Sequence, residues 1–162
     1  MESISDILRQ HRVLDLGPLP APRLAGNATV QQALQFLVRG RRGAIVIVEE
    51  PLRPTGIYTE RDVLCRLPEG LFTSRDRRAK TPLSEVMSRP PVTIRRQASL
   101  LVAIETMSSR GFRQLVVTDR NGDLKGLLTT NDIVQYLTDQ FPEETVNLPP
   151  RLHQRFHSPE GA

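Results

Sequence analysis

Two short stretches of the sequence place threonine and aspartate three residues apart in the same setting. GIYTERDV contains Thr59 and Asp62, and GLLTTNDI contains Thr129 and Asp132. In each, an apolar stretch gives way to a helical pattern, so the threonine predicts an N-cap and the aspartate the third helical position. The same junction exposes backbone N–H groups that suit an anion, and a carboxylate accepts hydrogen bonds from a ribose diol. The doubled T-x-x-D therefore fits two helix caps, two nucleotide-binding elements, or both.

These stretches belong to a longer internal repeat. A shift of 70 residues places residues 22–67 on residues 92–137 without a gap, and seven of the 46 pairs are identical. Each copy starts with a short extended piece and an amphipathic helix, continues with two apolar strands joined by a turn, and ends in the T-x-x-D helix. The order strand–helix–strand–strand–helix, present twice, predicts an α+β fold of two similar units.

Both copies carry matching start and stop signals around their first helix. Thr29 with Gln32 forms a capping-box pattern in the first copy, and Ser99 can cap the corresponding helix of the second. Gly40 and Gly111 follow these helices, where C-terminal glycines are common. The two copies are therefore expected to share local structure as well as residue types.

The segments outside the repeats are more polar. Ser3 and Asp6 are candidate caps of a short N-terminal helix. Residues 68–81 form a charged connector, and Thr81 with the proline after it predicts a further helix that leads to Met87.

The composition is that of a globular chain of 162 residues, 38% of them hydrophobic. No apolar run approaches the roughly 18 residues that a membrane helix needs, and the N-terminus lacks the pattern of a secretion signal. Cys65 is the single cysteine, which excludes an internal disulfide framework and favours a reducing, cytoplasmic location. The net charge of +4, carried by 20 arginines and two lysines against 18 acidic residues, favours anionic partners without selecting one.

The repeat, with its G-h-x-T-x-x-D ending, resembles the CBS domain, and two copies in tandem resemble a Bateman module. The best-matching stretches are TERDV at 59–63, EVM leading into PVT within 85–93, and NGDLKGLLTTNDIV at 121–134. The resemblance covers about residues 15–138 and is closest to stand-alone CBS-pair proteins. It implies two small sheets with helices in a pseudo-twofold arrangement, a disc-shaped homodimer, and a regulatory rather than catalytic role.

The resemblance also implies a division of the chain. The expected parts are an N-terminal helix over 1–14, a first repeat over 15–68, a linker over 69–84, a second repeat over 85–140, and a C-terminal tail over 141–162.

The ligand that the resemblance implies is an adenine nucleotide in each of two clefts between the repeats. AMP, ADP and ATP lead, ahead of NAD and S-adenosylmethionine. By the family pattern, Asp62 and Asp132 would hold ribose hydroxyls, while Thr59 and Thr129 would contact ribose or phosphate. The opening strand of the partner repeat would line the adenine, which means Arg23 and Leu24 for one cleft and Val92 and Thr93 for the other. The expected phosphate contacts are Arg113 in the second copy, and Arg42 and Arg61 in the first.

Three other interpretations stay open. The clefts could be empty, with T-x-x-D pairs that only cap helices in an interaction module. Arginine clusters such as Arg75, Arg77 and Arg78 suggest nucleic acid, although an aromatic content of 4% leaves few stacking platforms. His153 and His157 have the spacing of half a metal site but lie in a tail with four prolines, so we expect no metal. No catalytic motif is present in the sequence.

Overall fold

The computed structural model describes residues 4–66 and 68–140, and it confirms the tandem α+β architecture. In chain order the elements are α1 (Ile4–Gln10), β1 (Arg23–Ala25), α2 (Val30–Arg39), β2 (Ala44–Glu49), β3 (Arg53–Thr59), α3 (Glu60–Arg66), α4 (Glu69–Thr73), α5 (Arg75–Lys80), β4 (Thr93–Arg95), α6 (Leu100–Arg110), β5 (Gln114–Thr118), β6 (Leu124–Thr129) and α7 (Thr130–Gln140). Single 3-10 turns span Val13–Leu16 and Leu83–Glu85. The predicted strand–helix–strand–strand–helix order therefore occurs twice.

The two three-stranded sheets have the same topology and the same irregularity. β1 is parallel to β2, and β2 is antiparallel to β3; β4, β5 and β6 repeat this arrangement. A register shift occurs between Ile47 and Val48 in one sheet and between Val117 and Thr118, 70 positions later, in the other. The offset found in the sequence is thus preserved in the strand pairing.

The sheets face each other through one layer of side chains. Alternate residues of a strand point to opposite faces, so Val46 and Val116 face the opposite sheet, whereas Ile45 and Ile47 face the helices of the first repeat. The inter-sheet layer consists of Ala44, Val46, Val116, Leu124 and Leu127. Because β2 and β5 are buried on both faces, they read as continuous apolar runs.

Each repeat is completed by the segment that precedes the other repeat. Leu8 and Val13 pack in the core of the second repeat, while Leu71 and Leu83 pack in the core of the first. Equivalent backbone hydrogen bonds hold the two segments, again at an offset of 70. They are Val13 N–H to Ala98 O, Leu83 N–H to Ala28 O, Leu100 N–H to His11 O and Val30 N–H to Thr81 O, all of 2.8–2.9 Å.

The local predictions hold at the first helices but not in the connector. The capping box of Thr29 and the Ser99 cap are both formed. The connector contains two short helices, because Ser74 caps α5 and Leu71 buries its side chain. The helix predicted after Thr81 is shorter than expected: it is a single 3-10 turn followed by a bond from Met87 N–H to Leu83 O, and it stops there because Ser88 pairs with Ile57 of β3. Ser3 and the tail, with His153 and His157, lie outside the described residues.

Candidate ligand-binding site

Both T-x-x-D motifs form the predicted helix cap with nearly identical geometry. Asp62 Oδ2 accepts hydrogen bonds from Thr59 N–H (2.8 Å) and Thr59 Oγ1 (2.7 Å), while Thr59 Oγ1 accepts from Asp62 N–H (3.2 Å). The corresponding distances in the second copy, between Thr129 and Asp132, are 2.7, 2.7 and 3.2 Å. One carboxylate oxygen is therefore committed to each cap, and Oδ1 is turned towards the neighbouring segments.

The first aspartate is bound by a hydroxyl from the segment that leads into β4. Ser88 Oγ donates to Asp62 Oδ1 over 2.8 Å, and Arg66 Nη1 donates to Ser88 Oγ over 2.7 Å. Arg66 Nε is 3.7 Å from the same carboxylate oxygen, but its side chain is 61% exposed. Ser88 was not a sequence candidate, because nothing local to it signals a partner in α3.

The second aspartate is bound by an arginine from the other repeat. Arg42 Nη1 donates to Asp132 Oδ1 over 2.7 Å, and Arg42 Nη2 donates to Asp132 Oδ2 over 3.0 Å and also to Leu127 O. Both side chains are 18% exposed, so water screens the pair only partly. The sequence assigned Arg42 to the first copy, whereas the structure places its guanidinium against the aspartate of the second.

A polar cavity of about 250 Å³ lies beside this pair, between the starts of β2 and β5. Three arginines and one carboxylate are among its lining side chains. The lining residues are Gly40, Arg41, Arg42, Gly43, Glu60, Arg113, Gln114, Thr129, Thr130 and Asn131. Gly43 and Arg113 occupy equivalent positions, as do Glu60 and Thr130, so the cavity sits where the two repeats meet. Its excess of cations makes it suitable for an anionic group.

The glycines of the two motifs, Gly56 and Gly126, are closely approached by different partners. A Cβ on Gly126 would lie 2.7 Å from Leu19 O, and a Cβ on Gly56 would lie 3.0 Å from Met87 Cγ. The segments before β1 and before β4 therefore run directly along β6 and β3. Each cleft is bounded by one T-x-x-D and by the segment that opens the other repeat.

The remaining sequence candidates are placed unevenly. Arg113 lines the cavity with Arg42. Arg61 is exposed on α3 and does not line it. Arg23 and Thr93 are exposed at the starts of β1 and β4, and Val92 is half-buried against the core of the second repeat. Among the described residues, no group of three acidic, histidine or cysteine side chains could hold a metal ion.

Tyr58, next to the first motif, has an unusual environment. Its side chain is fully buried, and its hydroxyl has no hydrogen-bond partner among the described residues. Burial, with a smaller effect of the Asp62 charge, raises the pKa of Tyr58 to about 12. The equivalent position in the second repeat is Leu128, which is also fully buried, so the hydroxyl is an addition to an otherwise apolar site.

Comparison with known proteins assigns the two halves to one family. The CBS domain matches residues 19–69 and again residues 83–139. The chain belongs to the CBS domain family. The family match agrees with the repeated topology, the doubled T-x-x-D and the shared offset of 70 residues.

Relatives differ in how much of their own length this CBS pair represents. An uncharacterised protein of Methanopyrus kandleri is 31% identical over 140 residues, which make up 82% of this chain and 69% of that protein. Inosine-5'-monophosphate dehydrogenase of Chlorobaculum parvum is 33% identical over 111 residues, 66% of this chain but 21% of the enzyme. A CBS domain protein of Pyrobaculum aerophilum, solved in complex with AMP, is 26% identical with a TM-score of 0.64, covering 79% of this chain and 98% of that one.

None of the helices in the described parts of the CBS pair combines the length and the hydropathy needed to cross a bilayer.

Proposed function

We propose that this CBS pair is a regulatory module that binds an adenine nucleotide in the clefts beside Asp62 and Asp132. The observation that carries the proposal is the doubled T-x-x-D, in which each aspartate keeps one oxygen for the helix cap and turns the other to the neighbouring segments. The AMP complex of the Pyrobaculum aerophilum relative supports the ligand class. AMP, ADP and ATP are the leading candidates, ahead of NAD and S-adenosylmethionine.

Three groups of residues would contact the ribose, the base and the phosphate of the ligand. Asp62 and Asp132 would accept from ribose hydroxyls, and Thr59 and Thr129 would hold these carboxylates in position. The opening segments of the repeats, with Arg23 near one cleft and Val92 and Thr93 near the other, would line the base. Arg113 and Arg42, which share the polar cavity, would neutralise phosphate, with Arg61 available at the surface.

The proposed regulation depends on the segments that precede β1 and β4, each of which packs on the other repeat. Each cleft is closed by the chain that leads into the other repeat, so a ligand there contacts both repeats at once. The ligand favours the packing of the two repeats to which it binds more tightly. It shifts the equilibrium between the two packings only by the difference between its affinities for them.

Thermal unfolding in the presence of AMP, ATP, NAD or S-adenosylmethionine tests the proposal. A ligand at about one hundred times its Kd adds about 2.7 kcal/mol to the free energy of unfolding, which is a rise in Tm of roughly 5–10 °C for a chain of this size. A Tm that stays constant with all four compounds would refute the sensor function and favour the ligand-free interaction module.

Two matched pairs of variants assign the clefts. Asp62→Asn and Asp132→Asn keep the side-chain shape but remove the charge, and each should weaken binding at its own cleft at least about tenfold, since a hydrogen bond to a charged group contributes about 1.5–3 kcal/mol. Asp76→Asn, in an exposed pair with Lys80, and Asp139→Asn, exposed on α7, are the controls. Calorimetry should show one site lost in each motif variant and none in the controls.

We also propose that the module forms a homodimer through its helical faces. Leu64 on α3 is 77% exposed and Val134, its equivalent on α7, is 60% exposed. An apolar groove of about 330 Å³ separates α6 from α7. Val134→Glu should shift the mass measured by sedimentation towards the monomer, whereas Gln135→Glu, one residue further along α7, should not; equal masses would contradict the dimer.

The other expectations stay predictions. These are the division into parts at residues 14, 68, 84 and 140, a cytoplasmic location, a role without catalysis, and the absence of nucleic acid as a partner. Steeply salt-dependent binding to DNA or RNA would overturn the last of these.

A further inference from the structure

Asp132 carries an internal partner where the proposed function places a ribose. The guanidinium of Arg42 forms two hydrogen bonds to the carboxylate and one to Leu127 O. A guanidinium offers two parallel N–H donors, and a ribose diol offers two O–H donors to the same oxygens. The two compete for the carboxylate, because Oδ2 already accepts from Thr129 and from Arg42, and a diol that uses both oxygens would need the acceptor sites that Arg42 occupies.

Among the residues that the structure describes, nothing in the first cleft corresponds to this arrangement. The residue equivalent to Arg42 is Phe112, because Gly43 and Arg113 both directly precede the equivalent strands β2 and β5. Asp62 Oδ1 is bound instead by the neutral hydroxyl of Ser88. The nearest cation, Arg66, is mostly exposed and 3.7 Å away. A ligand that enters the first cleft therefore displaces a weaker partner.

A displaced Arg42 has a second place to bind. Its side chain already lines the cavity of about 250 Å³ that it shares with Arg41 and Arg113. A phosphate in this cavity would give the guanidinium a new bidentate partner. A nucleoside has no phosphate, so it would break the Arg42–Asp132 pair and leave the arginine without compensation.

We propose that Arg42 makes the second cleft selective for adenine nucleotides over adenosine. The arginine competes with the ribose for Asp132, and it gains a new partner only from a ligand that also carries a phosphate. This inference rests on the proposed function, since it assumes that the second cleft accepts a ribose.

The test compares adenosine with AMP in an Asp62→Asn background, which leaves only the second cleft. With Arg42 present, calorimetry should show AMP bound much more tightly than adenosine. Arg42→Ala should tighten adenosine binding about tenfold. This is the gain expected when Arg42 occupies Asp132 in about nine-tenths of the molecules, because the apparent affinity is reduced to the fraction in which the carboxylate is free. AMP should keep its affinity or lose some, because it loses the phosphate contact of Arg42, so the ratio of the two dissociation constants should fall about tenfold or more.

Two further variants keep the outcome unambiguous. Arg42→Gln, which keeps a polar side chain of similar length, should also lower the ratio and serves if Arg42→Ala folds poorly. Arg39→Ala removes the same charge from the exposed last turn of α2 and should leave the ratio unchanged. The ratio itself is insensitive to a general loss of stability, because both ligands are measured on the same variant.

Two results would overturn the inference, and they differ in what they say about the function. If AMP binds with Arg42 present and the ratio does not change in either variant, the selectivity role fails while nucleotide binding stands. If no adenine compound binds the unmodified protein, the proposed function fails and the inference fails with it.

Discussion

Alanine at Gly126 should destabilise the protein, whereas alanine at its equivalent, Gly56, should be nearly neutral. Both glycines lie in the strand that precedes a T-x-x-D, and both are buried. Neither has a positive φ, so the expected difference is steric and depends on what each added methyl group would contact.

The contact at Gly126 is with main chain. An added Cβ would lie 2.7 Å from Leu19 O and 2.8 Å from Leu19 Cβ. The carbonyl of Leu19 accepts a hydrogen bond from Leu127 N–H over 3.4 Å, so relief of the clash requires the segment before β1 to move away from β6. That movement would loosen the edge of the second cleft.

The contact at Gly56 is with a flexible side chain. An added Cβ would overlap the thioether of Met87 and lie 3.0 Å from its Cγ. Methionine has three rotatable bonds and fills irregular space, so its side chain can turn away without backbone displacement.

The magnitudes follow from these contacts. Forcing a methyl group into a packed site costs about 1–3 kcal/mol, and replacement of glycine recovers about 0.5–1 kcal/mol of chain entropy. Gly126→Ala should therefore lower the free energy of unfolding by about 1–2 kcal/mol, and Gly56→Ala should change it by less than about 0.5 kcal/mol.

Urea unfolding followed by circular dichroism at 25 °C measures both values, with equal m-values as the check that the same surface is exposed. The reasoning is refuted if the two variants lose the same stability, or if Gly56→Ala loses more.

Three further changes should alter stability in defined ways. Tyr58→Phe removes an unpartnered buried hydroxyl and should cost less than about 1 kcal/mol at pH 7. Burial raises the pKa of Tyr58 from 10.0 to about 12, so folding favours the neutral phenol, and this contribution to stability should be lost as the pH rises from 10 to 12. Urea titrations at several pH values should show this loss in the unmodified protein and a smaller loss in Tyr58→Phe. Leu127→Ala, in the inter-sheet layer, should cost about 2–5 kcal/mol in the same assay. Ser99→Ala, which removes the acceptor of Val102 N–H, should lower Tm by the equivalent of about 1 kcal/mol.

The elements of each repeat were predictable because their signals are local. Helical spacing, the caps at Thr29 and Ser99, and the doubled T-x-x-D all act within a few residues of chain. The connector was less predictable, since the helix after Thr81 is cut to one turn where Ser88 pairs with Ile57 of β3, about 30 residues earlier. The packing of the N-terminal segment on the second repeat was also not predictable, because its contacts are with residues distant in the sequence.

The candidate site shows the same boundary between local and distant information. The sequence identified Asp62, Asp132 and their threonines, because the cap and the carboxylate belong to one turn of helix. It did not identify Ser88, which lies 26 residues from its aspartate. It placed Arg42 in the first copy, although the side chain reaches an aspartate 90 residues away.

By itself, the sequence determined that the chain contains two equivalent α+β units, each ending in a carboxylate held at a helix start. Repetition and capping determine this, since both depend on neighbouring residues. Only the tertiary structure decided that the two carboxylates have different partners, a serine hydroxyl for Asp62 and an arginine for Asp132. Ser88 reaches Asp62 because its segment pairs with β3, and Arg42 reaches Asp132 across the contact between the two repeats. A near-symmetrical backbone still presents unlike side chains wherever the two copies differ.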